Sequence, residues 1–231
     1  EKLVTVGAGV VFRELVEAVR DRHGALPVGT GPGVGVVGYV VNGGLSGYFS
    51  RRLGLLGQRV ARLTLVTAAG EIRVLEPGDE LFTAMLGAGS AMGVVADLTL
   101  RLEAEDVVRR AEQRVVGFET RDQAVAFARE ALRFQRERVL PDDSVSMELV
   151  VTGTKALVAT CVFYDTFPGD PAAFVEPLEA LARRLGLKVL DAARMDSWYQ
   201  TAAALWPVIN GIQGSPLAML QHCVGTVDAP A

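Results

Sequence analysis

The residues that bind metals or cross-link chains are scarce. Among 231 residues there are two cysteines, Cys161 and Cys223, and two histidines, His23 and His222. Two thiols make no disulfide framework. Cys161 lies in the apolar run ALVATCVFY, where a buried free thiol is the ordinary state. The histidines stand far apart, without the ligand spacing of the common metal sites. Lysine is almost missing too. Lys2, Lys155 and Lys188 are the only three, so the positive charge is nearly all arginine. A net charge of -4 gives no support for a nucleic-acid partner. No apolar run approaches the ~20 residues that cross a bilayer. The opening, EKLVTV, carries no secretory signal and reads as a domain entered midway. The expectation is a cytoplasmic protein that meets a small molecule, with no nucleic-acid or membrane partner and a homodimer as its assembly.

What is present reads as alternating strands and amphipathic helices. Hydrophobic residues make up 50% of the chain, ordinary for a globular protein. Leu3 to Val6 predicts a strand. VFRELVEAVRDRHG predicts a helix, with Phe12, Leu15, Val16 and Val19 on one face and Gly24 as its stop. RVARLTLVT and IRVLE form a hairpin about the turn AAGE. GDELFTAMLG predicts a short helix ending at Gly87, and GVVADLTLRL a further strand. The character changes around Glu103 to Asp106. Beyond it come a strand, AEQRVVGFE, and a helix that Thr120 caps. Two strands then join at Thr152-Gly153-Thr154. A second helix runs from Pro171 to Gly186, followed by the strand KVLDAA. This order predicts an antiparallel sheet backed by helices, and an α+β protein overall.

The most distinctive stretch is GTGPGVGVVGYVVNGG, residues 29–44. Gly33 to Gly38 fits G-x-G-x-x-G, the dinucleotide fingerprint. That reading requires a strand before the loop and a carboxylate about 20 residues after it. No carboxylate occurs between Asp21 and Glu71, so the Rossmann reading fails. The same interval holds Arg22, Arg51, Arg52, Arg59 and Arg62. Glycines let the backbone approach a ligand, and their N–H groups form anion-binding concavities. On composition alone, an anionic-cofactor loop and a set of tight turns beside solvated arginines stand equally.

The order of the motifs separates the two. The glycine loop, then SRRLGLLGQRVARLTLVTAAGEI, then DELFTAMLGAGSAMGVVADLTLRL resembles the flavin-binding domain of the vanillyl-alcohol-oxidase family, also described as PCMH-type. The resemblance is to its berberine-bridge-enzyme-like branch. It covers residues 1 to about 105 motif by motif, and 106–200 in general layout. It implies two domains. Residues 1–105 would be part of the FAD-binding domain, and 106–231 part of an antiparallel-sheet substrate domain. It further implies that Gly31, Pro32, Gly33, Val34, Gly35, Gly38, Tyr39, Gly43, Gly44, Gly93, Val94 and Val95 touch FAD.

Departures from the family pattern are plain. Many members carry a flavin-bonded cysteine where this chain has Gly31, so the implied FAD is noncovalent at that position. The glycine run after the short helix is Gly87-Ala88-Gly89-Ser90-Ala91-Met92, preceded by Leu86 in place of arginine. The aspartate of the G-L-x-x motif is Gln58. The family's diphosphate loop and its returning C-terminal segment are expected outside this chain. The implied activity is an FAD-dependent oxidoreductase acting on a small organic or secondary-metabolite substrate by hydride transfer. Alternatives are a non-redox cyclase or isomerase on the same fold, and a binding subunit without catalysis. The tyrosine candidates for a base are Tyr39, Tyr48, Tyr164 and Tyr199, with Tyr39 first because it abuts the loop. Glu148 and Asp165 are secondary candidates.

Overall fold

The computed structural model describes residues 2–87, 89–137, 145–152, 155–163, 172–211 and 217–221. The chain divides into two compact units, Glu1–Val107 and Val108–Ala231.

The first unit is built on a four-stranded antiparallel sheet. Its elements are β1 (Leu3–Gly7), α1 (Phe12–Arg20), β2 (Gly24–Ala25), α2 (Val36–Val41), α3 (Ser50–Leu53), β3 (Val60–Val66), β4 (Ile72–Leu75), α4 (Glu80–Met85), β5 (Val94–Arg101) and β6 (Glu103–Ala104). The sheet order is β1-β5-β3-β4. Alternation sets its inner face. Val4 and Val6, and Leu63 and Leu65, are buried in that pattern. In β5 a register shift opposite Thr64–Leu65 breaks the parity, so that Val95 and Leu98 are both buried. β3 and β4 form the expected hairpin, pairing Val66 with Ile72. In α1 the residues Phe12, Leu15, Val16 and Val19 are buried, the face that the 3.6 period predicts.

One boundary differs from expectation. α1 ends at Arg20, before Gly24. The chain turns at His23, which takes a left-handed φ of 50°. Gly24 begins β2 instead, paired with Ala104 of β6. A Cβ there would lie 2.8 Å from Leu102 Cδ1 and 3.1 Å from Leu102 Cβ, so a side chain at Gly24 would displace Leu102.

The second unit is a five-stranded antiparallel sheet with helices. Its elements are β7 (Ala111–Phe118), α5 (Arg121–Arg136), β8 (Val145–Thr152), β9 (Lys155–Phe163), α6 (Ala172–Arg184), β10 (Lys188–Met195), α7 (Trp198–Ala203), α8 (Trp206–Gly211) and β11 (Leu217–Gln221). The order is β10-β7-β9-β8-β11. Val116 and Phe118 of β7 pack with Phe127 of α5 and Leu178 and Leu181 of α6 in one core. Thr120 caps α5, its Oγ1 accepting from Gln123 N–H at 3.2 Å. α6 ends in a Schellman turn. Gly186 has φ 68°, and Leu187 N–H reaches Ala182 O at 2.9 Å. Thr152 pairs with Lys155 at the predicted hairpin. Glu148 and Cys161 sit in β8 and β9. Gly153, Thr154, Tyr164, Asp165, Pro171, His222 and Cys223 lie outside the described residues, as does Ala88 of the second glycine run.

Candidate cofactor site

The glycine loop is stitched to the start of α1. Phe12 N–H donates to Val34 O and Arg13 N–H to Pro32 O, each at 3.0 Å. Val36 N–H donates to Val10 O at 2.9 Å. The Glu14 carboxylate accepts from Val11 N–H at 3.0 Å. Of the donors that a helix start ordinarily leaves free, those of Val11, Phe12 and Arg13 are engaged by these bonds. The N-terminus of α1 thus spends these donors on the loop and on Glu14, and the loop and α2 keep several of theirs.

The loop's glycines divide by physical cause. At Gly29 an added Cβ would meet Phe12 Cε2 at 2.8 Å and Tyr39 Cε2 at 3.1 Å. Gly43 and Gly44 have φ of 99° and 73°, and a Cβ on Gly44 would sit 3.1 Å from Gly57 N. Those are requirements of the fold. Gly33, Gly35 and Gly38 are different. None has a left-handed φ, and beyond the chain neighbours and the local helix backbone no described atom lies within 4 Å of a Cβ built on them. Gly38 even lies inside α2, where glycine is unfavourable relative to alanine. The N–H groups of Gly33, Gly35, Val37 and Gly38 make no hydrogen bond among the described residues. A backbone kept bare toward open space, with free donors, fits a group that must approach closely. Val34, between two of these glycines, is 44% exposed. Pro32 is buried, and at Gly31 an added Cβ would meet Val34 Cγ2 at 2.9 Å.

The fold brings the second predicted segment to the first. Gly87 N–H donates to Val41 O at 3.0 Å, tying the corner after α4 to the end of α2. α2 packs on the 3-10 turn Gly89–Met92 and on β5. Gly93 has φ 148°, and a Cβ there would fall 2.6 Å from Val66 O, so this glycine serves the backbone. Val94 faces outward at 67% exposure, whereas Val95 turns into the core of the sheet. Met92 is also exposed. An apolar rim thus adjoins bare, donor-bearing backbone.

Tyr39 is placed as a clamp. Its hydroxyl donates to Leu45 O, and its ring meets Phe12 edge-on at 4.8 Å. Tyr48 is buried against Phe49, and Tyr199 belongs to α7 in the second unit. The arginines are largely engaged. Arg59 pairs with Glu103 and donates to Leu53 O at 2.5 Å, and Arg22 donates to Ala18 O at 2.8 Å. Gln58, in the place of the family's aspartate, accepts from Leu55 N–H at 3.0 Å. Sequence reasoning missed Ser46. It is fully buried, donates to Val28 O at 2.7 Å and accepts from Phe49 N–H, so it pins the segment after the glycine loop. Its only sequence signal is a small polar residue beside a glycine, shared by many turns. Among the described residues no cluster of three metal-ligating side chains occurs, and no helix is long and apolar enough to cross a membrane.

Comparison with known proteins agrees with this geometry. Residues 1–76 match the FAD binding domain family. An FAD-linked oxidoreductase of Aspergillus flavipes is 41% identical over 108 residues, covering 45% of this chain and 17% of that protein. The (R)-6-hydroxynicotine oxidase of Paenarthrobacter nicotinovorans is 34% identical over 99 residues, 42% of this chain and 21% of its own length. Among solved structures, the glucooligosaccharide oxidase of Acremonium strictum superposes with a TM-score of 0.68 at 19% identity, over 87% of this chain and 41% of that one. A berberine-bridge-enzyme-like protein of Physcomitrella patens superposes at 0.63 and 20% identity, over 89% and 43%. The matches span about a fifth of the curated relatives' length and under half of the structural neighbours'. Residues 1–76 therefore resemble the FAD binding domain family, and the chain shares its fold with the glucooligosaccharide oxidase and the berberine-bridge-enzyme-like protein over less than half of their length.

Proposed function

We propose that the full-length protein is an FAD-dependent oxidoreductase acting on a small organic substrate. In this reading Gly33, Val34, Gly35 and Gly38 touch FAD through their main chain, Val94 borders it, and nothing at Gly31 bonds to it. The observation that carries the reading is the set of glycines that neither conformation nor packing explains. Bound FAD supplies an acceptor for a hydride. This chain's residues bind and orient. Free N–H groups at Gly33, Gly35 and Gly38 donate to ligand acceptors, and Val34 and Val94 keep water from one side. Tyr39 and Ser46 hold the loop in place. The curated relatives, named as FAD-linked oxidoreductases and an oxidase, support the reaction class.

The test uses purified full-length protein. Wild type should show flavin absorbance that bleaches anaerobically with substrate. Gly35→Val and Gly38→Val place bulk in the open space and should lower FAD affinity at least about tenfold, roughly 1.4 kcal/mol, with the fold retained by circular dichroism. The proteolytic peptide containing Gly31 should have its unmodified mass. A colourless protein that turns over substrate would overturn the reading.

A further inference from the structure

The glycine loop and α2 offer a ligand almost no polar side chain. From Gly33 to Val41 every residue is glycine or valine except Tyr39, and the Tyr39 hydroxyl is bonded to Leu45 O. Asn42 follows directly, at the C-terminal end of α2 with φ -99° and ψ 21°, and its side chain is exposed.

Chemistry fixes the orientation of that side chain. Asn42 Nδ2 donates to Gly38 O at 2.7 Å. A carbonyl only accepts, so the amide nitrogen faces it and Oδ1 points elsewhere. The side chain leans toward the N-terminus, over the preceding turn, as helical side chains do. That turn carries Gly38, whose Cβ position meets no described atom within 4 Å beyond its chain neighbours and the local helix backbone. After the Gly38 bond, one N–H and the Oδ1 acceptor remain, and neither is bonded among the described residues. The preceding residue, Val41, accepts from Gly87 N–H at 3.0 Å, and α2 packs on the turn Gly89–Met92. Asn42 therefore stands where the two proposed cofactor segments meet. Bare backbone lies on one side, and the second segment brings the exposed apolar Met92 and Val94.

We infer that Asn42 recognises a heterocyclic edge of FAD on which an N–H stands beside an acceptor; the inference rests on the flavin reading. A carboxamide meets such an edge by accepting and donating at once. The bond to Gly38 O holds the amide in place beforehand, so less freedom is lost when the ligand arrives. FAD has two edges of this chemistry, the imide of the flavin ring and the amino side of adenine. The bare glycines give a ring room to approach, and Asn42 supplies the side chain that reads its rim.

The test titrates flavin-free full-length protein with three cofactors and reads flavin fluorescence. They are FAD, N3-methyl-FAD, which lacks the imide donor, and the hypoxanthine analogue of FAD, in which oxygen replaces the adenine amino group. Wild type should bind one of the analogues about tenfold more weakly than FAD, and the analogue that suffers names the edge. Asn42→Ala should bind that analogue and FAD within about twofold of each other, closing a double-mutant cycle. A side chain that only caps α2 would lower the affinity for all three cofactors equally. Such a uniform loss, or a discrimination that survives Asn42→Ala, overturns the inference. So does wild type that binds all three alike, an arm that needs no variant and decides the matter should Asn42→Ala fail to fold. In that last case FAD still binds, and the flavin reading stands. Wild type that binds none of the three sinks the flavin reading and this inference together.

Discussion

Single residues carry the distinction between fold and site, and the glycines show it best. Gly93 is required by its backbone, since φ 148° and a Cβ position 2.6 Å from Val66 O admit no side chain. Gly93→Ala should cost about 1–3 kcal/mol in chemical denaturation. Gly38 has no such need. Gly38→Ala should stabilise the flavin-free protein by about 0.5–1 kcal/mol, because alanine is the better helix residue, while lowering flavin occupancy. Opposite signs in the two assays are the signature of a ligand-imposed glycine. Tyr39 is tested in the same spirit. Its hydroxyl is bonded to Leu45 O. Tyr39→Phe should cost about 1 kcal/mol of stability and change turnover less than about tenfold. A fall of several orders of magnitude in kcat with an intact fold would make the hydroxyl a reacting group instead.

At the scale of elements, helix ends and helix pairs matter most. The Thr120 cap on α5 is reinforced by Gln123 Oε1, which accepts from Thr120 N–H and Glu119 N–H. Thr120→Ala should cost about 1 kcal/mol in urea unfolding. α5 and α6 are also linked through Glu130, which accepts from Arg133 on its own helix and from Arg184 on α6, each at 3.0 Å. The Arg133 hydrogen bond holds the Glu130 carboxyl below the ordinary carboxylate value of 4.5, and the Arg184 charge adds to it. A carboxylate lowered on folding contributes stability above its unfolded pKa and loses it as the pH falls through the folded one. The unfolding midpoint should therefore hold steady above about pH 5 and drop below it. Glu130→Gln should flatten that drop slightly, and salt should diminish it, because the pair is exposed. The helix faces and caps were legible in the sequence because they depend on neighbours three or four residues apart. The end of α1 was not. His23 takes the turn there, and Gly24 is held by contact with Leu102, a residue far along the chain.

At the scale of the molecule, flavin binding and folding should be linked. A ligand that binds only the folded state stabilises it in proportion to the logarithm of its concentration. FAD added to flavin-free full-length protein at about 100 times its Kd should contribute roughly 2.7 kcal/mol, read as a concentration-dependent rise in Tm. Gly35→Val should remove that rise. A Tm indifferent to FAD would contradict the proposed site.

The sequence by itself determined the α+β class, the strand alternation and the order of motifs that resembles a flavin-binding domain. Each of these is written in local periodicity or in short spacings. It also showed a stretch from residue 22 to residue 70 rich in arginine and free of carboxylates. Only tertiary structure decided what that stretch meets. Glu103 returns to Arg59, so the charge excess in sequence is partly neutralised in space, and Glu105 meets the His23 ring at 3.2 Å. Tertiary structure likewise sorted the glycines, because a missing Cβ has meaning only through the atoms it would touch. Local chemistry selects the elements; distant approach, at a few ångströms, selects the site.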